Sequence, residues 1–200
     1  MLARRSVGLF FLVFSLAVPL CAQRGALTQP RNLAQLVEQS ALIVRGQVLS
    51  ARTEPHPQFH NLMTVVVTLR VTETLKGEPA ATLTYRQFIW DIRNRMDAAG
   101  YGKGQELLLL MNAPTRYGFS SPAGLEQGRF RVRRGAQGNR VAMNGVGNAG
   151  LFRDVESQLK RQRRELPARL LPLVREHRYG PLRADDLEDL VRQLARTPAR

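Results

Sequence analysis

Cysteine occurs once in this 200-residue chain, at Cys21. One thiol excludes an internal disulfide framework and any multi-cysteine zinc site. Histidine is nearly as scarce, limited to His56, His60 and His177. His56 and His60 are four residues apart, but Pro55 and Pro57 spoil the helical turn on which such a pair would share a metal. No third ligand follows nearby, so neither a metal nor a cofactor is expected. Lysine is confined to Lys76, Lys103 and Lys160, which makes the positive charge almost entirely arginine. Long apolar runs are missing too, except for Ser6–Leu20 (SVGLFFLVFSLAVPL) near the start. That run falls short of the roughly 20 residues that cross a bilayer comfortably.

What stands around the apolar run reads as export grammar. Arg4 and Arg5 precede it, Pro19 interrupts it, and the small pair Cys21-Ala22 follows. This order predicts a signal peptide over 1–22, cleaved after Ala22, and a periplasmic or secreted mature chain without cysteine. A second reading takes Val18-Pro19-Leu20-Cys21 as a lipobox with Cys21 acylated. Leu20 departs from the small residue that such a motif carries before its cysteine, which places this reading behind simple cleavage.

The formal net charge is +14. Outside the cytoplasm such a surface favours anionic polysaccharide, anionic lipid or an acidic protein, and nucleic acid is not expected. GC-rich codon usage produces the same arginine excess, so composition leaves open whether the charge is functional.

Hydrophobic periodicity predicts a mainly β protein. Asn32 caps a short helix with Leu33, Leu36 and Val37 on one face, ended by Ser40. Ala41–Arg52 alternates as a strand, and Gly46 within it predicts a bend or bulge. Met63–Leu75 is the clearest strand: Val65, Val67, Leu69 and Val71 point one way, and mostly Thr64, Thr68, Arg70 and Thr72 the other. Lys76–Pro79 is a turn. Thr82–Trp90 follows, with Leu83, Tyr85 and either Phe88 or Trp90 in the core. Glu106–Met111 (ELLLLM) is an apolar run buried on both sides. Arg129–Arg133 and Val141–Asn144 form a hairpin about Gly135–Asn139. The last fifty residues change character. Leu151–Glu165 carries a thin stripe of Phe152, Val155 and Leu159, and Arg169–His177 has room for another turn or two. A final helix, capped by Asp185 or Asp186, faces Leu187, Leu190, Val191 and Leu194 inward. The expected architecture is an OB-like antiparallel β-barrel of about six strands over 23–150, with a helical C-terminal extension over 151–200; closure would remove exposed strand edges.

The segments LVEQSALIVRGQV, VTLRVTETLKGEP, LTYRQ, GKGQELLLLMN, GLEQGRFRV and VGNAGLF resemble an uncharacterised family of secreted bacterial proteins, over roughly Leu33 to Phe152. Ile43–Val48 and Val71–Gly77 also resemble, more distantly, the netrin-type OB barrel of tissue inhibitors of metalloproteinases. This second resemblance implies the barrel and an inhibitory role. Those inhibitors chelate the target's zinc through a mature N-terminal cysteine, whereas Cys21 here is expected to leave with the leader. The zinc-chelating mechanism therefore does not carry over, and the fold analogy alone is a weak warrant for function.

No catalytic constellation stands out. Gly100–Gly104 lacks the spacing of a phosphate loop, Ser120-Ser121 has no nucleophile-elbow context, and nothing orients Asp91 toward Asp97. His177, set among charged residues, reads as a solvated surface side chain. Lys160, Arg161, Arg163 and Arg164 read as an exposed helix face. Two candidate binding surfaces remain. Arg129, Arg131 and Arg133 alternate on one strand face about 7 Å apart, and their guanidinium forks suit carboxylate or phosphate. Tyr117 and Phe119 lie on the long loop 113–127, which with loop 91–104 would form a protein-contact rim. The sequence thus predicts a non-enzymatic extracytoplasmic binding module, with inhibition of or assistance to a protease as its narrower form. An envelope protein that binds anionic polysaccharide or lipid is the alternative, and an enzyme comes third.

Overall fold

The computed structural model describes residues 28–89 and 98–196. The signal peptide, the Cys21 alternative, Trp90 and the pair Asp91 and Asp97 lie outside the described residues. Seven strands form one antiparallel sheet in the order β3-β2-β1-β4-β5-β6-β7. They are β1 (Leu42–Pro55), β2 (Met63–Lys76), β3 (Thr82–Phe88), β4 (Glu106–Met111), β5 (Arg129–Arg134), β6 (Arg140–Asn144) and β7 (Leu182–Arg183). Among the described residues four α-helices accompany them: α1 (Leu33–Gln39), α2 (Val155–Arg161), α3 (Leu171–Glu176) and α4 (Ala184–Ala195).

The leading helix follows from its cap. Asn32 accepts the Gln35 N–H through its side chain, and the Gln35 side chain accepts the Asn32 N–H, closing a capping box. Ser40 ends the helix, its hydroxyl donating to the Leu36 carbonyl. The long β1–β2 hairpin comes next. Its ladder slips between Arg45 and Gly46, where a bulge forms. A Cβ on Gly46 would lie 2.6 Å from the Arg70 carbonyl oxygen, so the close pass of the two strands requires glycine. Gly77, at φ +89°, makes the turn out of β2.

Strand β4 divides two apolar clusters. Leu107, Leu109 and Met111 face an inner cluster with Val44, Val48, Val65, Val67, Leu69, Tyr85 and Tyr101. Leu108 and Leu110 face an outer cluster with Phe130, α1, the C-terminal helices and Leu151. ELLLLM has no alternation because both of its faces are buried, and each buried leucine contributes about 2 kcal/mol.

The hydrogen-bonded sheet is open, with β3 and β7 at its edges. The chain after β4 turns back toward β3. Phe119 bridges Arg86 in parallel and Pro122 bridges Met111 antiparallel, so this segment reaches both strands.

Several expectations need correction. A seventh strand exists: β7 pairs with Val141 and Ala142, and two residues are too few to carry a period. Arg183, not Asp185 or Asp186, is the N-cap of α4; both aspartates sit in its first turn, where the helix dipole favours them. Helix within 151–165 is limited to α2, although Phe152, Val155 and Leu159 are buried as the stripe implied. His177 is half-buried, its ring edge-on to Phe152 with 5.7 Å between centroids, and burial lowers its pKa. The C-terminal helices are packed on the sheet: Leu187, Leu190 and Val191 are fully buried in the outer cluster.

Candidate functional site: an aromatic tip on the long hairpin

The β1–β2 hairpin ends in a loop whose two prolines flank His56. The His56 N–H donates to the Leu62 carbonyl at 2.8 Å and the Leu62 N–H to the Phe59 carbonyl at 2.8 Å, which closes the loop. His56 itself is buried, 3% exposed. Its ring stacks on Phe59 at 4.9 Å and on Phe119 at 4.6 Å. The Gln58 N–H donates to Nδ1 at 3.1 Å, so that nitrogen is the acceptor. Nε2 then carries the proton and donates to the Tyr117 carbonyl at 3.0 Å. The imidazole thereby joins the hairpin loop to the 113–122 loop through one stack and one hydrogen bond, and is held in its own loop by the other stack and the other hydrogen bond.

The second loop is braced independently. The Thr115 N–H donates to the Phe119 carbonyl at 2.7 Å, and the Ser120 N–H donates to the Arg86 carbonyl of β3 at 2.8 Å. Tyr117 stands edge-on to Phe59 at 5.5 Å, and the Arg116 guanidinium lies 4.6 Å over the Tyr117 ring. Phe59 and Tyr117 are 43% and 42% exposed. The tip therefore presents two aromatic rings and a cation to solvent, on a base of two buried or half-buried rings. Tyr179 is more exposed still, but no ring contact is present at it among the described residues.

The arginine row on β5 is arranged differently from the expected solvent face. Arg129, read from the alternation as pointing outward, is buried and only 4% exposed. Its guanidinium pairs with Glu126, donates to the Ala99 carbonyl at 2.8 Å and lies 4.2 Å over the Tyr101 ring. Burial opposes its charge, but Tyr101 and Glu126 outweigh burial and leave its pKa raised. Arg131 is half-buried at 3.7 Å from Glu126, and burial followed by the charge of Arg129 lowers its pKa. Arg133 alone of the three is exposed. Side-chain alternation is real here, but the arginine face of β5 turns toward Tyr101, which was not legible from β5 itself.

A second charged cluster fastens α4. Glu188, with a side chain 4% exposed, lies 3.3 Å from Arg45 Nε, 3.5 Å from Arg140 and 3.6 Å from Arg192. Arg45 also reaches Glu73 at 3.1 Å and Glu106 at 3.3 Å, Arg140 reaches Glu106 at 3.0 Å, and Arg192 contacts Glu73. Burial raises the Glu188 pKa against the pull of Arg45 and Arg140. Burial acts the same way on Glu73, but Arg192 and Arg45 overcome it and its pKa is lowered. The network crosses β1, β2, β4, β6 and α4.

No family model, curated protein or solved structure matches the chain. The site must then be read from its own chemistry. Among the described residues no group of three histidine, cysteine or acidic side chains is placed to hold a metal, and no serine hydroxyl is hydrogen-bonded to a histidine or carboxylate. Likewise, no helix is long and apolar enough to cross a membrane.

The structure places Tyr117 and Phe119 in one tip with Phe59 and with His56, which in the sequence reads only as half of a failed metal pair with His60. The available signal was a histidine between two prolines at a hairpin end, followed by an aromatic residue. Of loop 91–104, residues 91–97 lie outside the described residues, and Tyr101 is buried in the inner cluster.

Proposed function

We propose that this protein is a non-enzymatic, extracytoplasmic binding module that engages a protein partner through the tip formed by Phe59 and Tyr117. The observation that carries this reading is the His56 stack. Two exposed aromatic rings are held in fixed positions before any partner arrives, which lowers the entropy cost of binding. Tyrosine, phenylalanine and arginine side by side match the composition of energetic hot spots. A narrow aromatic wedge suits insertion into a cleft, and this supports the narrower form, an inhibitor or accessory protein of an extracytoplasmic protease. Export rests on the leader grammar of residues 1–22.

The OB-like barrel is part of the same proposal. Its support is a ring: β1 pairs with β2 and β4, β2 with β3, and the 119–122 segment touches both β3 and β4. The inner apolar cluster is built from residues of these same four strands together with Ile89 and Tyr101, as the core of such a barrel would be.

The experiment is capture from extracytoplasmic fractions by the immobilised protein at low and high salt, compared with Phe59→Ala/Tyr117→Ala and with Arg131→Gln/Arg133→Gln. Retention that survives salt and the arginine changes but fails without the aromatics supports the proposal. The opposite pattern transfers the function to anion binding.

A further inference from the structure

Arg129 and Arg131 of β5 are committed to partners inside the fold, but arginines near the start of α1 and around α2 are not. Arg31, Arg153 and Arg161 stand around a cleft of about 540 Å³ lined by Asn32, Gln35, Gln127, Val146, Gly150, Asp154 and Gln158 among others. The cleft lies between the start of α1, the 144–152 turns and α2. None of the three guanidinium groups has a carboxylate or carbonyl partner among the described residues, whereas most arginines on the sheet and on α4 do. Arg153 is folded back over Gly150, 3.5 Å from where a Cβ would stand.

The amides of the cleft are oriented by backbone groups whose roles are fixed. The Asn32 N–H donates to Gln35 Oε1 at 2.9 Å, so the free end of Gln35 is its NH2. Asn32 Oδ1 accepts the Gln35 N–H, so its Nδ2 donates, to the Arg153 carbonyl at 2.8 Å and to Gln158 Oε1 at 3.4 Å. That leaves the Gln158 NH2 free as well. The Arg31 N–H occupies Gln127 Oε1 at 2.8 Å. Acceptors are thus consumed inside the protein, while three guanidinium groups and two amide NH2 groups remain as donors. Asp154 supplies the one carboxylate.

We infer that this cleft binds a compact acidic sugar, one whose carboxylate or phosphate groups are gripped by Arg31, Arg153 and Arg161. Charge-assisted hydrogen bonds from guanidinium groups to such oxygens are the strong kind. The Gln35 and Gln158 amides reach the ligand's ring or hydroxyl oxygens, and Asp154 accepts from a hydroxyl. The VGNAGLF segment, otherwise unused by the proposed function, forms one wall.

Isothermal titration tests this with digalacturonate and glucose 1,6-bisphosphate as acidic probes and cellobiose as the neutral one. The expected result is measurable binding of at least one acidic probe in about 50 mM salt, weakened severalfold at 300 mM, with none of cellobiose. The digalacturonate and bisphosphate arms separate a carboxylate from a phosphate ligand. Arg31→Gln/Arg153→Gln/Arg161→Gln should weaken binding at least tenfold while the melting temperature stays within about 2 °C, because these side chains hold nothing in the fold. Arg134→Gln/Arg163→Gln/Arg178→Gln removes the same charge from exposed positions outside the cleft and should bind as the parent does. The inference is overturned if neither acidic probe binds better than cellobiose, if the cleft variant binds normally, or if the two triple variants lose affinity equally.

Discussion

The two sides of β4 are built on different plans. The inner cluster is made almost wholly of strand residues from β1 to β4: β1–β2 and β2–β3 are hairpins, and β4 is added by long-range pairing with β1, Leu42 opposite Met111. The outer cluster draws α1, β5, β6, β7 and the C-terminal helices onto one sheet face. Its last member, α4, is also held by the buried Glu188 and its arginines. Local hairpins build β1 to β3 of the inner side, and one long-range pairing adds β4. The outer side depends on long-range docking in which charge as well as apolar area sets the register.

The largest expected effects come from charges placed in either cluster. Val67→Asp and Phe130→Asp each bury an unpaired carboxylate at a fully buried position and should abolish cooperative unfolding, read by circular dichroism and calorimetry. Thr68→Asp, one residue from Val67 and on the half-exposed face, should cost less than about 1 kcal/mol. Equal losses at 67 and 68 would break the assignment of faces. One step smaller is Arg45→Met, which leaves Glu188, Glu73 and Glu106 short of a cation; about 2–3 kcal/mol should be lost in denaturant unfolding.

A subtler difference is legible in the acid limb. The Glu188 pKa is raised in the fold, so its charged form costs stability above that pKa, and the cost is relieved as pH falls through it. Glu73 has a lowered pKa, so its contribution is fully present above the unfolded carboxylate value and is lost as pH falls through the lower folded one. Stability should therefore rise slightly on mild acidification before it falls. Glu188→Gln should remove the rise and Glu73→Gln should soften the fall, measured as melting temperature against pH. The smallest effect belongs to Glu156→Gln. Arg175 and Lys160 hold this carboxyl down to about 2, but both cations are exposed and solvent screens the interaction, and the melting temperature at pH 7 should move by no more than about 1 °C.

How far the sequence reached follows the same division. Val65, Val67 and Leu69 share the face of β2 turned to the inner cluster, although their neighbours Thr64 and Val66 are buried too, and the Asn32 cap and the Gly46 bulge are single-residue signals with local causes. ELLLLM lies at the meeting of both clusters, and its doubly buried character was legible from the lack of any polar interruption. Arg129 shows where local reasoning stops. Its neighbours say strand and its salt-bridge partner Glu126 is only three residues back, but the Tyr101 ring beneath its guanidinium comes from a distant loop. β7 is too short for any period. In the tip, Tyr117 and Phe119 were visible as loop aromatics. The wedge that positions them, His56, is separated from them by three strands of sequence.

That wedge carries the central claim, and the direct measurement is site-specific photo-crosslinking in cells that express the chain. Tyr117→p-benzoylphenylalanine places a reactive ring at the tip, and Tyr179→p-benzoylphenylalanine places one on the more exposed aromatic position away from any stack. The account predicts a discrete covalent adduct with another extracytoplasmic protein from position 117, lost when His56→Ala is added, and no adduct from position 179. Equal adducts at both positions, or an adduct at 117 that is indifferent to His56, would contradict it.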